Sequence, residues 1–200
     1  MWAIRTRFEA IQSIKNSNLN NFAKAESAAF HGRKIVEGIA FACLVAYENR
    51  FQNIPKEAKG KWNPAVIFKE LKKKKVEIIP SPSVLRLPIS GESLPSTKID
   101  KIIEGIPENR ITHEQLIEIY NRMHVWLHEL NPYTYSEKST FCDQKSQILW
   151  GDIDKLYKFL EKHFISINGM AFYCVLFDSQ DNGTKVYPLN QVSDLRLNSI

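Results

Sequence analysis

Four polar residues within one short stretch, Asn121, Arg122, His124 and His128, have the types and spacing that chemistry can use. Metal-free cleavage of a phosphodiester needs a cation to hold the phosphate and an imidazole near neutral pKa to move protons. Asn121, His124 and His128 fall at i, i+3 and i+7, so on a helix they share one side, with Arg122 beside them. Arg122 and His128 are six positions apart, about 240° of rotation on an ideal helix. They line one cleft only near a helix terminus, or through a symmetric dimer that presents two copies. The plainer alternative is that Arg122 pairs with Glu118 on the surface while His128 hydrogen-bonds a buried carbonyl. His124 and His128 at i, i+4 also have metal-ligand spacing, yet no third ligand is evident, and His31, His113 and His163 are scattered. No metal and no cofactor is expected.

These residues need a helix to carry them, and residues 112–133 supply its signals. Thr112 is a candidate N-cap, Gln115 completes a capping box, and Glu114 adds a charge favourable to the helix dipole. Leu116, Ile119, Tyr120, Met123, Leu127 and Leu130 recur at helical spacing, and Asn131-Pro132 ends the pattern. Two helices precede it, over 2–15 and from about 20 to about 51, the second apolar nearly all round between Ile35 and Tyr47 and so central to a bundle. Gly32 and Gly38 within it suit close helix packing, with a kink near Gly32 as the alternative. If this long helix packs on the first stretch, Arg33 or Glu37 faces His128 and tunes it; otherwise Arg33 and Glu37 form an ordinary i, i+4 pair.

A basic stretch follows, with Lys56, Lys59, Lys61 and Trp62. Asn63-Pro64 opens a short helix, and Lys72, Lys73, Lys74 and Lys75 close it. Those four lysines with Lys61 and the nearby indole are candidate RNA-binding residues, or else a solvated helix end whose dipole favours cations. Residues 76–96 carry Pro80, Pro82, Pro88 and Pro95, which predicts an extended strap with one or two edge strands. A short helix is predicted over 97–105, ending at Gly105, and the last helix somewhere in 143–165. Ala171 to Phe177, the Asn182-Gly183 turn and Lys185-Val186-Tyr187 then predict a C-terminal β-hairpin, its first strand buried on both faces.

At 44% hydrophobic and 24% charged, the 200 residues read as a soluble globular chain of one domain, 1–200, rather than a disordered one. The formal charge of +5 permits an RNA partner without demanding one. Three widely spaced cysteines, Cys43, Cys142 and Cys174, form neither a disulfide framework nor a metal pattern; Cys43 and Cys174 lie in apolar runs and read as core thiols. The first residues carry charges where a signal peptide needs an apolar stretch, and no run approaches a membrane span, so a cytoplasmic protein without a membrane partner is expected. Phosphate-binding glycine loops and the Gly-x-Ser-x-Gly elbow are absent from the sequence.

A helical bundle with arginine, five residues and then histidine, here Arg122 and His128, resembles the HEPN superfamily, whose recurrent motif is Arg-x4–6-His. The residue after the family arginine is often Asn, Asp or His; here it is Met123. The resemblance covers roughly residues 1–165. It implies an all-α, commonly homodimeric protein, with many members acting as metal-independent ribonucleases in toxin–antitoxin and other defence systems. Carried over, Arg122 steadies the phosphate, His128 is general acid and base, and His124 assists. The combined expectation is a mainly α fold, four to five helices with a small C-terminal β-hairpin, and an HEPN-like RNA-binding homodimer. The rival expectation is a non-catalytic helical module that dimerises or docks an unidentified protein partner, its histidines structural.

Overall fold

A computed structural model describes residues 1–51, 58, 60–74, 78–90, 101–128, 133, 138–167 and 170–189. Five α-helices and five strands are present among them: α1 (Trp2–Lys15), α2 (Asn21–Phe51), α3 (Pro64–Lys73), β1 (Ser81–Arg86), β2 (Ile102–Gly105), α4 (His113–His124), α5 (Lys138–Glu161), β3 (Lys162–Ile167), β4 (Met170–Val175) and β5 (Lys185–Leu189).

The long α2 is the axis of the helical layer and touches α1, α3, α4 and α5. Its apolar residues Ala25, Ala28, Ile35, Val36, Ile39, Ala40 and Cys43 are buried around much of its circumference. Both glycines mark close crossings, as their placement predicts. A Cβ on Gly38 would lie 3.3 Å from Ile4 of α1, and one on Gly32 only 2.6 Å from the Met123 thioether of α4. Ile4, Phe8 and Ile11 put one stripe of α1 into the core. Asn63 caps α3 by accepting from the Ala65 amide, with Pro64 at the first helical position. Cys43, Cys142 and Cys174 are buried free thiols, and burial pushes Cys43 up to about 12.

The strands enlarge the expected hairpin into one antiparallel sheet of order β2-β1-β3-β4-β5. The fold is therefore mixed α+β. The Asn182-Gly183 turn holds as predicted, with Asn182 at φ 54, a left-handed conformation that asparagine tolerates. The Pro-rich strap does contribute β1, whose Ser81 and Pro82 pair with Phe164 and His163 of β3. Two expectations are overturned. Residues 102–105 are strand β2, paired with β1 from Arg86↔Ile102 to Ser83↔Gly105, instead of the end of a helix. The last helix begins earlier than 143 and stops at Glu161, and Phe164 belongs to β3. No glycine or proline separates α5 from β3, so the apolar stripe of α5 runs on in sequence into Phe164 and hides the change of period. Leu130, the Asn131-Pro132 stop, Lys56, Lys59, Lys75 and Pro95 lie outside the described residues. No described helix is long and apolar enough to cross a membrane.

Candidate active site

The capping box at the start of α4 forms as its sequence dictates: Thr112 accepts from the Gln115 amide, and Gln115 accepts from that of Thr112. Leu116, Ile119, Tyr120 and Met123 are buried, so α4 presents one apolar stripe to the core. The helix ends at His124, earlier than its apolar pattern suggests. One tighter turn, Val125–Leu127, carries the chain to His128, whose backbone is extended. Gly32 lets Met123 seat against α2, and that close approach brings the next residue of α2, Arg33, onto α4.

Arg33 is then the hub of a polar chain. Its Nη2 donates to Tyr120 Oη at 2.6 Å and its Nη1 to His124 Nδ1 at 2.9 Å. The guanidinium also lies over the Tyr120 ring, 4.6 Å from its centroid. Glu37, buried one turn on, sits 3.5 Å from Arg33 and receives Lys34 at 2.7 Å. His124 Nε2 and His128 Nε2 are 2.9 Å apart, the two rings nearly perpendicular. A guanidinium has no acceptor, so His124 Nδ1 must accept, and neutral His124 carries its proton on Nε2. That proton is donated to His128 Nε2, which places the His128 proton on Nδ1. Burial, then the Arg33 charge and His128, hold the His124 imidazole below its ordinary pKa. The exposed His128 therefore rests against a neutral, tautomer-fixed neighbour.

Arg122 is turned the other way. Its Nε and Nη2 grip Asp152 of α5 in a bidentate pair at 2.7 and 2.8 Å, with Glu118 farther off at 3.7 Å. The Asp152 hydrogen bonds raise Arg122 above its ordinary pKa. Asp152 is 3% exposed on its side chain, so this is an inter-helix tie with one member inside the protein. No hydrogen bond or ion pair joins Arg122 to either histidine among the described residues. Arg122 lines a cleft of about 800 Å³ between α4 and α5, where Arg110, Lys155 and Lys158 are matched by Glu108, Glu118 and Asp154. Such a mixed lining focuses no single sign of charge.

The lysine patch is partly self-compensated. Lys72 binds Glu114 at the start of α4, an interaction that lowers the Glu114 carboxyl to about 2, and Lys73 binds Glu70. Lys74 and Lys61 are exposed. Trp62, 80% exposed, meets Phe41 of α2 edge-on. The remaining histidines lie elsewhere: His31 beside Arg7 at 3.3 Å, His113 stacked on Phe68, and His163 buried, with Nδ1 3.0 Å from the Leu160 carbonyl. No group of three or more metal-ligating side chains occurs among the described residues.

The sequence left two readings of Arg33 open, a contact to His128 or an i, i+4 pair with Glu37. The pair is present at 3.5 Å, the contact to α4 goes to His124 and Tyr120 instead of His128, and Tyr120 had read as core alone. Asp152 was missed, although its signal was present: a carboxylate beside Leu149, Ile153 and Leu156 on an apolar stripe needs an ionic partner when it is buried. Compared with family models, with curated proteins and with solved structures, the chain matches none.

Proposed function

We propose that this protein is an HEPN-like RNA-binding protein that cleaves RNA without a metal ion, and that it works as a homodimer. The hydrogen-bonded chain Arg33–His124–His128 carries this reading. His128 Nε2 holds a lone pair beside a fixed N–H on His124, with a permanent positive charge one ring away. An RNA 2′-hydroxyl that displaces the His124 contact meets that lone pair. As the 2′-oxygen bonds to phosphorus and the bond to the 5′-oxygen breaks, His128 takes the 2′-hydroxyl proton and returns it to the departing oxygen. His124 donates its Nε2–H to a phosphoryl oxygen, and Arg33 supplies the nearby charge that Arg122, bound to Asp152, does not. Of the two residues that carry the HEPN resemblance only His128 stands in this hydrogen-bonded chain; it supports an RNA substrate, as does the net charge of +5.

The test is cleavage of end-labelled structured and unstructured RNA in EDTA by wild type, His128→Ala, Arg33→Ala and Arg122→Ala. Cleavage lost in the first two variants and retained by correctly folded Arg122→Ala supports the assignment. A rate unchanged in His128→Ala sinks it. A second reading, a non-catalytic interaction module, is favoured by the Arg122–Asp152 tie, which puts the arginine of the motif to structural use. On that reading His128→Ala lowers the melting temperature and leaves RNA affinity intact.

A further inference from the structure

A second cleft, of about 640 Å³, opens between α1, α5 and the connection after β4, away from the histidine pair. Four aromatic rings shape it: Phe8 at its floor, with Trp150, Tyr157 and Phe177 half-buried along its walls. Phe8 meets Tyr157 edge-to-face at 5.5 Å, and Tyr157 meets Phe177 at 6.1 Å. A cation sits on each of the two outer rings. Lys15 Nζ lies 5.8 Å from the Trp150 ring, and the Arg5 guanidinium 5.4 Å from that of Phe177. The two carboxylates of the lining are already matched, Glu9 by Arg5 and Asp154 by Lys158. Lys15, by contrast, has no carboxylate partner among the described residues. Gln12 and Asn182, each with an amide donor and acceptor, line the exposed mouth.

We infer that this cleft holds one unpaired nucleobase of a single RNA strand, stacked on Trp150 and Phe177, with its phosphate on Lys15. The inference rests on the RNA-binding reading above and gives it a place to hold the strand. A flat π-face satisfies the ring walls, an anion satisfies Lys15, and a base edge satisfies the amides of Gln12 and Asn182. Stacking on aromatic walls with a basic rim is how single strands are held without a sequence code. A duplex cannot enter, because its bases are not free to stack on protein rings.

The experiment is fluorescence anisotropy of a labelled hexa-adenylate RNA on the full chain, across a salt series. The variants are Trp150→Ala, Trp150→Phe and Lys15→Gln, with Lys101→Gln, an exposed lysine outside both clefts, as the remote charge-matched control and melting curves for each. We expect Trp150→Ala to weaken binding about tenfold or more, in line with the loss of one stacked base. Trp150→Phe should retain most of the affinity, and Lys15→Gln should reduce the logarithmic salt slope by about 1. A hairpin RNA without unpaired bases should not compete. Should Trp150→Ala melt early, Lys15→Gln on its exposed site decides. Equal affinity of wild type and Lys15→Gln, or no binding by wild type, overturns the inference. So does competition by inorganic polyphosphate to which Trp150→Ala is indifferent, since that marks a charge patch alone. Binding lost at the cleft with no cleavage in EDTA refutes the nuclease and leaves this site standing. Cleavage lost in His128→Ala with unchanged binding in the cleft variants refutes only this site.

Discussion

Arg33 Nη1 stands 2.9 Å from His124 Nδ1, and because a guanidinium can only donate, this one contact fixes the tautomer of His124 and, through it, that of His128. Protonating His124 on Nδ1 would set an N–H against an N–H beside a permanent charge. Removing Arg33 therefore lifts one of the three causes that depress His124, the others being burial and His128. In Arg33→Ala the His124 pKa should move up toward 6.5 and the Nε2–H tautomer should lose its dominance. Ring-nitrogen NMR across a pH titration reads both. An unmoved titration curve would show that the Arg33 contact does not govern the ring.

Truncating Arg122 leaves the Asp152 carboxylate buried without its bidentate partner. Arg122→Ala should cost about 3 kcal/mol of stability, the lower end of the range for broken buried pairs, because Arg122 itself is partly exposed. The double variant Arg122→Met/Asp152→Leu should recover most of that, since it removes both charges and fills the volume. Urea denaturation of the two proteins checks the difference.

His163 sets an acid limit on the fold. Burial holds its pKa at about 4 against an ordinary 6.5, although its hydrogen bond to Leu160 acts the other way. The unfolded chain then binds more protons than the native one between those values. Stability is full above about pH 6.5, falls as the pH drops, and levels off below about pH 4. The loss over that window is about 3 kcal/mol from this residue. His163→Gln should flatten that part of the stability profile, measured by chemical denaturation at successive pH values.

At most helix positions an alanine stabilises relative to glycine by about 1 kcal/mol. At Gly32 the new Cβ would meet the Met123 thioether at 2.6 Å. Met123 is wholly buried, so its displacement is an overpacking cost of about 1–3 kcal/mol. Gly32→Ala should therefore lower the melting temperature, and Gly32→Ala/Met123→Ala should lose less than the sum of the two single changes. Additive losses would mean that these residues do not press on each other.

Much of the local architecture was legible in the sequence because its causes are local. Thr112 with Gln115, Asn63 with Pro64, Asn182 with Gly183 and the apolar spacing of α1 and α2 each act within a few residues. Their outcome hardly depends on the rest of the chain. Gly32 and Gly38 even announced the close crossings of α2, since an unsupported glycine in a helix is costly. Strands β2 and β3 were not legible. Ile102–Gly105 and Lys162–Ile167 are short, and what makes them strands is hydrogen bonding to β1 and β4, across sequence separations that no local pattern records. The site divides along the same line. Which residues are able to do chemistry, Arg33, Arg122, His124 and His128, was readable from side-chain type. Which of them meet was decided by the packing of α4 between two neighbours: α2 delivers Arg33 to the histidines, and α5 delivers Asp152 to Arg122. A rotation of about 100° per residue sends Arg122 and His124, two positions apart, toward opposite partners. The identity of each partner is a property of the tertiary structure alone.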